Sequence, residues 1–131
     1  MRLWHKDMIP YLPRQQLLGQ WRECCLIAKN IAEKGTPNHI LVNRIMGYPI
    51  HHFSFYSEIV FSEMLRRGYH CDSSKFTKHL PLGSTVISRF ELFAGWHNNR
   101  YYWQCYHNLQ EKYDCGGISS EEFYKIPCLD R

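Results

Sequence analysis

Long apolar runs are absent from this sequence, although 44% of its 131 residues are hydrophobic. A membrane-spanning helix needs about 20 consecutive apolar residues, and the N-terminal stretch lacks the apolar centre of a signal peptide. We therefore expect a cytoplasmic protein that does not bind a membrane. The hydrophobic content is enough for one compact core and too small for two, so residues 1–131 are expected to form a single domain.

Cysteine motifs are also missing, because the six cysteines include no C-x-x-C pair. Zinc sites and redox centres usually need such closely spaced pairs. Cys24 and Cys25 are adjacent in a predicted helix, where two side chains cannot easily form a disulfide with each other. Thiols stay reduced in the cytoplasm, so we expect no disulfide framework, no metal and no organic cofactor.

Blocks of like charge are the third absence. The chain contains sixteen Lys and Arg residues and twelve Asp and Glu residues, which gives a formal net charge of +4. The basic residues are scattered in ones and twos, so none of the chain has the composition of a disordered nucleic-acid-binding arm. This balance permits a polyanionic partner without requiring one, and any basic surface must be assembled by folding.

Helical periodicity is what the sequence does contain. Between Pro13 and Gly35, apolar residues recur at the spacing of a long amphipathic helix. Ser119 and Glu122 have the spacing of a capping box, and residues 85–93 fit a helix or a strand equally well. We predict an all-α, single compact domain of three to five helices. The predicted helices span residues 14–34, 38–46, 54–67 and 98–113.

Three stretches of the sequence carry a family resemblance. Arg2 directly follows the first residue, the string QLLGQWRE occupies residues 16–23, and residues 63–69 close a helix with a basic pair, a glycine and an aromatic residue. These motifs, within roughly the first seventy residues, resemble the pyrimidine-dimer DNA glycosylase/AP-lyase family, which includes the phage-type endonuclease V enzymes. The start MRLW and the stretch 113–117 look like a cellular branch of that family.

The resemblance implies a reaction in which the N-terminal α-amine attacks the sugar C1′ beneath a damaged pyrimidine. Base loss leaves a Schiff base, and β-elimination then nicks the strand. An α-amine titrates near 7.7–8.0, against about 10.4 for lysine, so a useful fraction is neutral and nucleophilic at cellular pH. The bulky Arg2 argues that the initiator methionine is retained, which puts the amine on Met1. The reaction requires this terminus to pack against the long first helix.

The same resemblance assigns roles around Glu23, the carboxylate expected to stabilise the developing sugar cation and to move protons. Arg2 and Arg22 correspond to arginines that grip phosphates beside the lesion. The phage enzyme has a further arginine one turn after the glutamate, where this chain has Leu26, so Lys29 is the nearest basic substitute. Gly19, one turn before Glu23, would let the N-terminal strand or a flipped nucleotide approach the helix.

An aromatic and basic run over residues 96–103 supplies further candidates. His97, Arg100, Tyr101 and Trp103 could stack on bases and bind phosphates, although such aromatics also pack in protein cores. The expected partner is double-stranded DNA that contains damaged pyrimidines, bound by a monomer. Two alternatives stay open: a related enzyme for another lesion or for abasic sites only, and a non-catalytic small nucleic-acid-binding protein of the same fold.

Overall fold

Amphipathic helices form the whole regular structure of the part of the chain that the computed structural model describes, residues 1–83 and 86–129. Within these ranges there is no strand, so the prediction of an all-α protein is confirmed. None of the described helices combines the length and the apolar character that a membrane crossing requires. The helices are α1 (Arg14–Lys34), α2 (Ile50–Arg66), α3 (Ser74–Thr77), α4 (Asn99–Asp114) and α5 (Ser120–Phe123), with 3-10 turns at Lys6–Tyr11 and Asn43–Gly47.

The long helix α1 has the predicted bounds because both ends carry clear sequence signals. Pro13 precedes its first residue, and Gly35 ends it in the left-handed conformation (φ +75°) that glycine adopts without a steric penalty. Its N-terminus is also capped from a distance, because the Arg14 N–H donates to Oε2 of Glu122 (2.8 Å). Glu122 belongs to the predicted capping box, in which the Ser119 hydroxyl accepts the Glu122 N–H (3.2 Å). The box therefore ties the C-terminal region to the start of α1.

The helix α2 begins four residues earlier than predicted, at Ile50 instead of Ser54. Pro49 fixes the backbone conformation directly before the first turn, a position that proline favours. Its buried side chains pack on α1 and on the 3-10 turn Lys6–Tyr11. The resulting core centres on the N-terminal segment and on the two long helices. Its largest fully buried members are Trp96, Tyr56, Phe53, Phe76, Phe93 and Leu3.

The helix predicted over residues 38–46 is wrong in most of its length, because only Asn43–Gly47 forms a 3-10 turn. Side chains compete with the helical hydrogen bonds here. The Thr36 hydroxyl accepts the Asn38 N–H (3.2 Å), and the Asn43 side chain accepts the His39 N–H (3.1 Å). Asn38 itself has a φ of +62°, which asparagine tolerates better than most residues. The segment is therefore a hydrogen-bonded turn that projects from the end of α1.

The segment of residues 85–93 fitted a helix or a strand equally well in sequence. Its described part belongs to a series of turns over residues 86–97, whereas Thr85 lies outside the described residues. Leu92 and Phe93 anchor these turns in the core, where both are fully buried. The Asn98 side chain then accepts the Tyr101 N–H (2.9 Å) and starts α4. This helix lies within one residue of its predicted bounds at either end.

Candidate active site

The N-terminal segment of residues 1–5 has no regular secondary structure and enters the core, with Leu3 and Trp4 buried. Gln20 of α1 holds its backbone through a bidentate amide contact. The Trp4 N–H donates to Oε1 of Gln20 (2.7 Å), and Nε2 of Gln20 donates to the Arg2 carbonyl (3.1 Å). Because Gln20 is only 1% exposed, water cannot easily replace these bonds. The segment preceding Trp4 is therefore positioned against α1.

Two tyrosines complete the support of this segment. The Tyr56 hydroxyl donates to the Trp4 carbonyl, and the Tyr101 hydroxyl donates to the Leu3 carbonyl. Burial raises the pKa of both phenols well above the ordinary value, so both remain protonated donors at neutral pH. The first residues of the chain are thus held from α1, α2 and α4 at once, which leaves Met1 at the edge of the core.

A cavity of about 350 Å³ lies beside this terminus and brings four predicted site residues together. Met1 and Arg2 form one side, whereas Gly19 and Glu23 come from α1. The Arg2 guanidinium lies 5.4 Å from the centre of the Trp4 ring, a distance typical of a cation–π contact. The other lining residues are Trp4, Gln15, Gln16, Gln20, Leu41, Asn108 and Lys112.

The Glu23 carboxylate is partly exposed to this cavity. Its Oε2 lies 3.5 Å from Nε2 of Gln20, at the outer limit of a hydrogen bond. Within the described ranges, no cation forms an ion pair with it. A carboxylate that no neighbouring cation neutralises can serve as a proton acceptor or can stabilise a positive charge that develops nearby.

Arg22 faces a different cavity, although it directly precedes Glu23 in the sequence. This second cavity has a volume of about 580 Å³ and is lined by Leu18, Trp21, Cys25 and Lys75, among others. Burial raises the pKa of Cys25 to about 11, so this thiol is not a nucleophile at neutral pH. The Arg22–Glu23 pair is thus divided between two cavities, one on either side of α1.

Gly19 does not serve the close strand approach that we expected of it. A Cβ atom built at this position meets nothing within 4 Å. The N-terminal segment therefore passes Gly19 without needing its small size, and the glycine instead forms an open part of the cavity wall. The space in front of it is available to a nucleotide.

The aromatic and basic run divides between the core and the surface, and His97 corrects our expectation. His97 is 5% exposed, and its Nδ1 accepts the Lys6 N–H (3.0 Å), so a buried ring takes the place of the expected DNA contact. Tyr101 is half-buried and supports the N-terminal segment. Arg100 is exposed at the start of α4, and Trp103 is half-buried against the rings of Tyr106 and His107. Arg100 and Trp103 lie outside the lining of the Met1–Glu23 cavity.

Sequence reasoning missed two polar residues that α4 contributes to the cavity. Asn108 and Lys112 are one helical turn apart and both line it. The Lys112 Nζ lies 5.5 Å from the Trp4 ring centre, so Lys112 and Arg2 both contact this ring and bring positive charge to the cavity. Nothing in the sequence links α4 with Glu23, because their meeting depends on tertiary packing. Gln20 could have been found, since it lies three residues before Glu23 on the same helix.

The side-chain amine of Lys6 is buried, and it already donates hydrogen bonds. Its Nζ donates to the carbonyls of Arg89 and Leu92, with a distance of 2.8 Å to Leu92. The buried Lys6 thus anchors the turns over residues 86–97 and lies outside the lining of the Met1–Glu23 cavity. This arrangement leaves the Met1 α-amine as the primary amine that lines the cavity together with Lys112.

Another cavity, of about 620 Å³, lies at the N-terminus of α1 and is lined by several basic residues. Two of these cations already have an acidic partner, because Glu63 binds both Arg66 (2.5 Å) and Arg67 (2.7 Å). Within the described ranges, no three His, Cys, Asp or Glu side chains are grouped to hold a metal ion. The Met1–Glu23 cavity, in contrast, brings an α-amine, a carboxylate and the side-chain cations of Arg2 and Lys112 around one space.

Comparison with known proteins adds one finding to this geometry. The sequence model of a family described as pyrimidine dimer DNA glycosylase matches residues 1–77, more than half of the chain. The match contains Met1, Arg2, α1 and α2, whereas α4 with Asn108 and Lys112 lies beyond it. No curated protein and no solved structure matches the chain.

Proposed function

Because the chain belongs to the pyrimidine dimer DNA glycosylase family, we propose that it excises damaged pyrimidines from double-stranded DNA and cleaves the resulting abasic strand. The α-amine of Met1 is the proposed nucleophile, and Glu23 is the proposed acid–base group. The observation that carries this proposal is their common cavity, which also contains Arg2 and Lys112. In this proposal, residues 1–131 work as a monomeric single domain.

The proposed reaction begins with attack of the neutral Met1 amine on the sugar C1′. The bond between C1′ and the base breaks, and its electron pair leaves with the base, which takes up a proton. Glu23 accepts a proton from the new C1′–N bond and passes it to O4′ as the C1′–O4′ bond breaks, so that the sugar ring opens to an imine. Removal of a C2′ proton then expels the 3′ phosphate, and water hydrolyses the imine to regenerate the amine.

The charges around the cavity fit this substrate. Arg2 and Lys112 are the cations of its lining, and phosphate groups beside a lesion are the natural partners of such side chains. Arg22 and Lys75 line the neighbouring cavity across α1, and the side chains of Lys29 and Arg100 are exposed. We propose that these residues position the backbone, whereas Met1 and Glu23 act at the sugar.

Borohydride trapping tests the nucleophile directly. Protein with its native terminus is incubated with duplex DNA that contains either a thymine dimer or an abasic site, and the imine is reduced in place. We expect a covalent adduct that maps to Met1 by mass spectrometry and that disappears on N-terminal acetylation. An adduct at Lys6 or Lys112 would move the nucleophile, and DNA binding without any adduct would favour the non-catalytic alternative.

Substitution of the carboxylate tests the second group. Glu23→Gln should slow strand cleavage by about 10²–10⁴-fold while DNA binding persists, because an amide cannot accept the proton. Glu33→Gln is the matched control, since Glu33 is an exposed glutamate of the same helix that lies outside the lining of this cavity. Equal activity of the Glu23→Gln and Glu33→Gln variants would exclude Glu23 from catalysis. Cleavage of abasic DNA alone would narrow the activity to the lyase step.

A further inference from the structure

Trp4 lines the Met1–Glu23 cavity although only 5% of the residue is exposed. Its backbone is already held from two helices, because the Trp4 N–H donates to Gln20 and the Trp4 carbonyl accepts the Tyr56 hydroxyl. These backbone contacts do not depend on the side chain. A role of the indole must therefore come from the contacts of the ring itself.

The ring of Trp4 contacts two cations that come from opposite ends of the sequence. The Arg2 guanidinium lies 5.4 Å and the Lys112 Nζ 5.5 Å from the ring centre, and both distances are within the range of about 6 Å for cation–π contacts. Nη1 of Arg2 also donates to Sγ of Cys105 (3.8 Å), a thiol whose pKa is raised by burial. Within the described ranges, neither Arg2 nor Lys112 forms an ion pair. Both cations are thus held by groups that leave their positive charge unneutralised.

Glu23 is the partner that these cations would otherwise be expected to take. Its carboxylate lines the same cavity, and flexible Arg and Lys side chains tend to pair with a nearby carboxylate. Such a pair would occupy the oxygen that accepts the proton in the proposed reaction. It would also neutralise charge that could otherwise bind a DNA phosphate. A cation on an aromatic ring has neither effect.

We propose that Trp4 is a positioning residue whose indole keeps Arg2 and Lys112 from pairing with Glu23, so that both cations stay available to phosphates of the DNA backbone. This inference rests on the proposed function, because it requires Glu23 to move a proton in this cavity. Trp4 acts through the two cations and takes part in no bond-making step. Lys112 belongs to α4, beyond the matched residues 1–77, so the arrangement depends on a part of the chain that the family match does not include.

Proton–carbon NMR of the free protein tests the contact between Trp4 and Lys112 without DNA. The ring current of the indole should shift the Hε signals of Lys112 upfield from those of the exposed Lys29 and Lys34, and their loss in Lys112→Gln assigns them. Trp4→Leu should return these signals to the position of the exposed lysines. Trp21→Leu is the matched control, since it removes an equally buried indole outside the lining of this cavity and should leave the shift unchanged.

Single-turnover cleavage of a thymine-dimer duplex, expressed per folded molecule, tests the effect on the reaction. Trp4→Leu should lower kcat/KM by about tenfold. In a Lys112→Gln background the same substitution should lower it by only about threefold, because Arg2 is then the one cation left to hold. Trp4→Phe should recover most of the loss, since a phenyl ring also binds cations, although less strongly than an indole.

The outcomes separate positioning from core packing. A side chain that only fills the core would give the same fold loss with Lys112 and with Gln at that position, and this result would overturn the inference. An unshifted Lys112 signal in the wild-type spectrum would overturn it as well, even where Trp4→Leu fails to fold. If the wild type forms no imine, the proposed function fails, and the NMR shift together with the Kd for duplex DNA decides the role of Trp4. In that case Trp4→Leu should raise the Kd, and an unchanged Kd would count against the inference.

Discussion

The two sides of α1 differ although consecutive residues build them. The Glu23 side opens into a cavity of about 350 Å³ whose other walls come from the N-terminal segment and α4. The Arg22 side opens into a cavity of about 580 Å³ that Trp21, Met64 and Cys71 line. The first contains a primary α-amine and a carboxylate, whereas burial raises the thiol pKa values of Cys25 and Cys71 in the second.

Under the proposed function, the two sides of α1 have different roles: the Glu23 side catalyses the reaction, and the Arg22 side positions the DNA backbone. An α-amine, a carboxylate and two side-chain cations surround the smaller cavity, which is why the proposed function puts the bond-making steps there. The larger cavity offers Arg22 and Lys75 beside apolar and aromatic walls, which suit binding of a polyanion without reaction. Substitutions on the two sides should therefore act on different kinetic constants, and that expectation can be broken experimentally.

The largest expected effect distinguishes Glu23 from Arg22. Glu23→Gln should reduce kcat by about 10²–10⁴-fold, the usual range for loss of an acid–base group, with little change in DNA affinity. Arg22→Gln should raise KM or Kd and change kcat much less, because it would remove the phosphate contact proposed for Arg22. Single-turnover kinetics and DNA titration with each variant measure both quantities. A loss of kcat in Arg22→Gln as large as that in Glu23→Gln would contradict the separation of the two sides.

The next effect concerns Gln20, which holds the N-terminal segment on the Glu23 side. Gln20→Leu leaves the Trp4 N–H and the Arg2 carbonyl without their partner, so the free energy of unfolding should fall by about 2–4 kcal/mol. Urea unfolding measures this change. The imine yield per folded molecule should also fall, because Met1 loses its position, while affinity for DNA through Arg22 persists.

Gln16→Leu is the matched control for that substitution. Gln16 lines the same cavity, but its Oε1 is buried and has no hydrogen-bond partner among the described residues. Replacement by leucine should therefore be close to neutral in stability. If Gln16→Leu and Gln20→Leu destabilise the protein equally, the loss reflects general packing of α1 and not support of the N-terminus.

Local sequence signals were sufficient to predict some of the features that distinguish the two sides of α1. Pro13 and Gly35 delimit α1 correctly. Met1 and Glu23, which the family resemblance predicts to act together, line the same cavity, and their catalytic roles stay a prediction. The helix over residues 38–46 could not be recognised as a turn, because apolar spacing does not reveal which side chains hydrogen-bond to the backbone. The meeting of Lys112 with Glu23 and the burial of His97 depend on packing between distant elements, which periodicity alone does not define.

A fall in pH should destabilise the N-terminal segment on the Glu23 side of α1 before it affects the Arg22 side. Burial, followed by the charges of His5, Lys6 and Arg44, holds the pKa of His97 well below 6.5, and burial also lowers the pKa of His5, against the opposing charge of Asp7. Both histidines are neutral when folded and gain protons when unfolded below pH 6.5. Stability is therefore complete above that pH and falls toward the folded pKa values, by up to about 1.4 kcal/mol per pH unit for each histidine.

Hydrogen exchange can localise this pH effect. His5 directly follows Trp4 and packs on His97, with ring centres 5.2 Å apart. Protection of the Trp4 and Lys6 amides should therefore decline between pH 7 and pH 5 more than protection of the Ile27 amide in α1. His97→Asn, which keeps an acceptor for the Lys6 N–H but does not titrate, should flatten the decline. A uniform loss of protection would show global unfolding and would remove the distinction between the sides.

The smallest expected effect concerns Gly19, which lines the cavity on the Glu23 side of α1 and has open space in front of it. Gly19→Ala should raise the free energy of unfolding by about 0.5–1 kcal/mol, because alanine loses less backbone entropy in a helix and its Cβ meets nothing within 4 Å. The added methyl group projects into the space that a nucleotide would use. Cleavage of thymine-dimer duplex should therefore slow, while cleavage of an abasic strand, which carries no base, should not. Slower cleavage of both substrates would mean that the methyl group obstructs the sugar itself, so the base would have to lie elsewhere along α1.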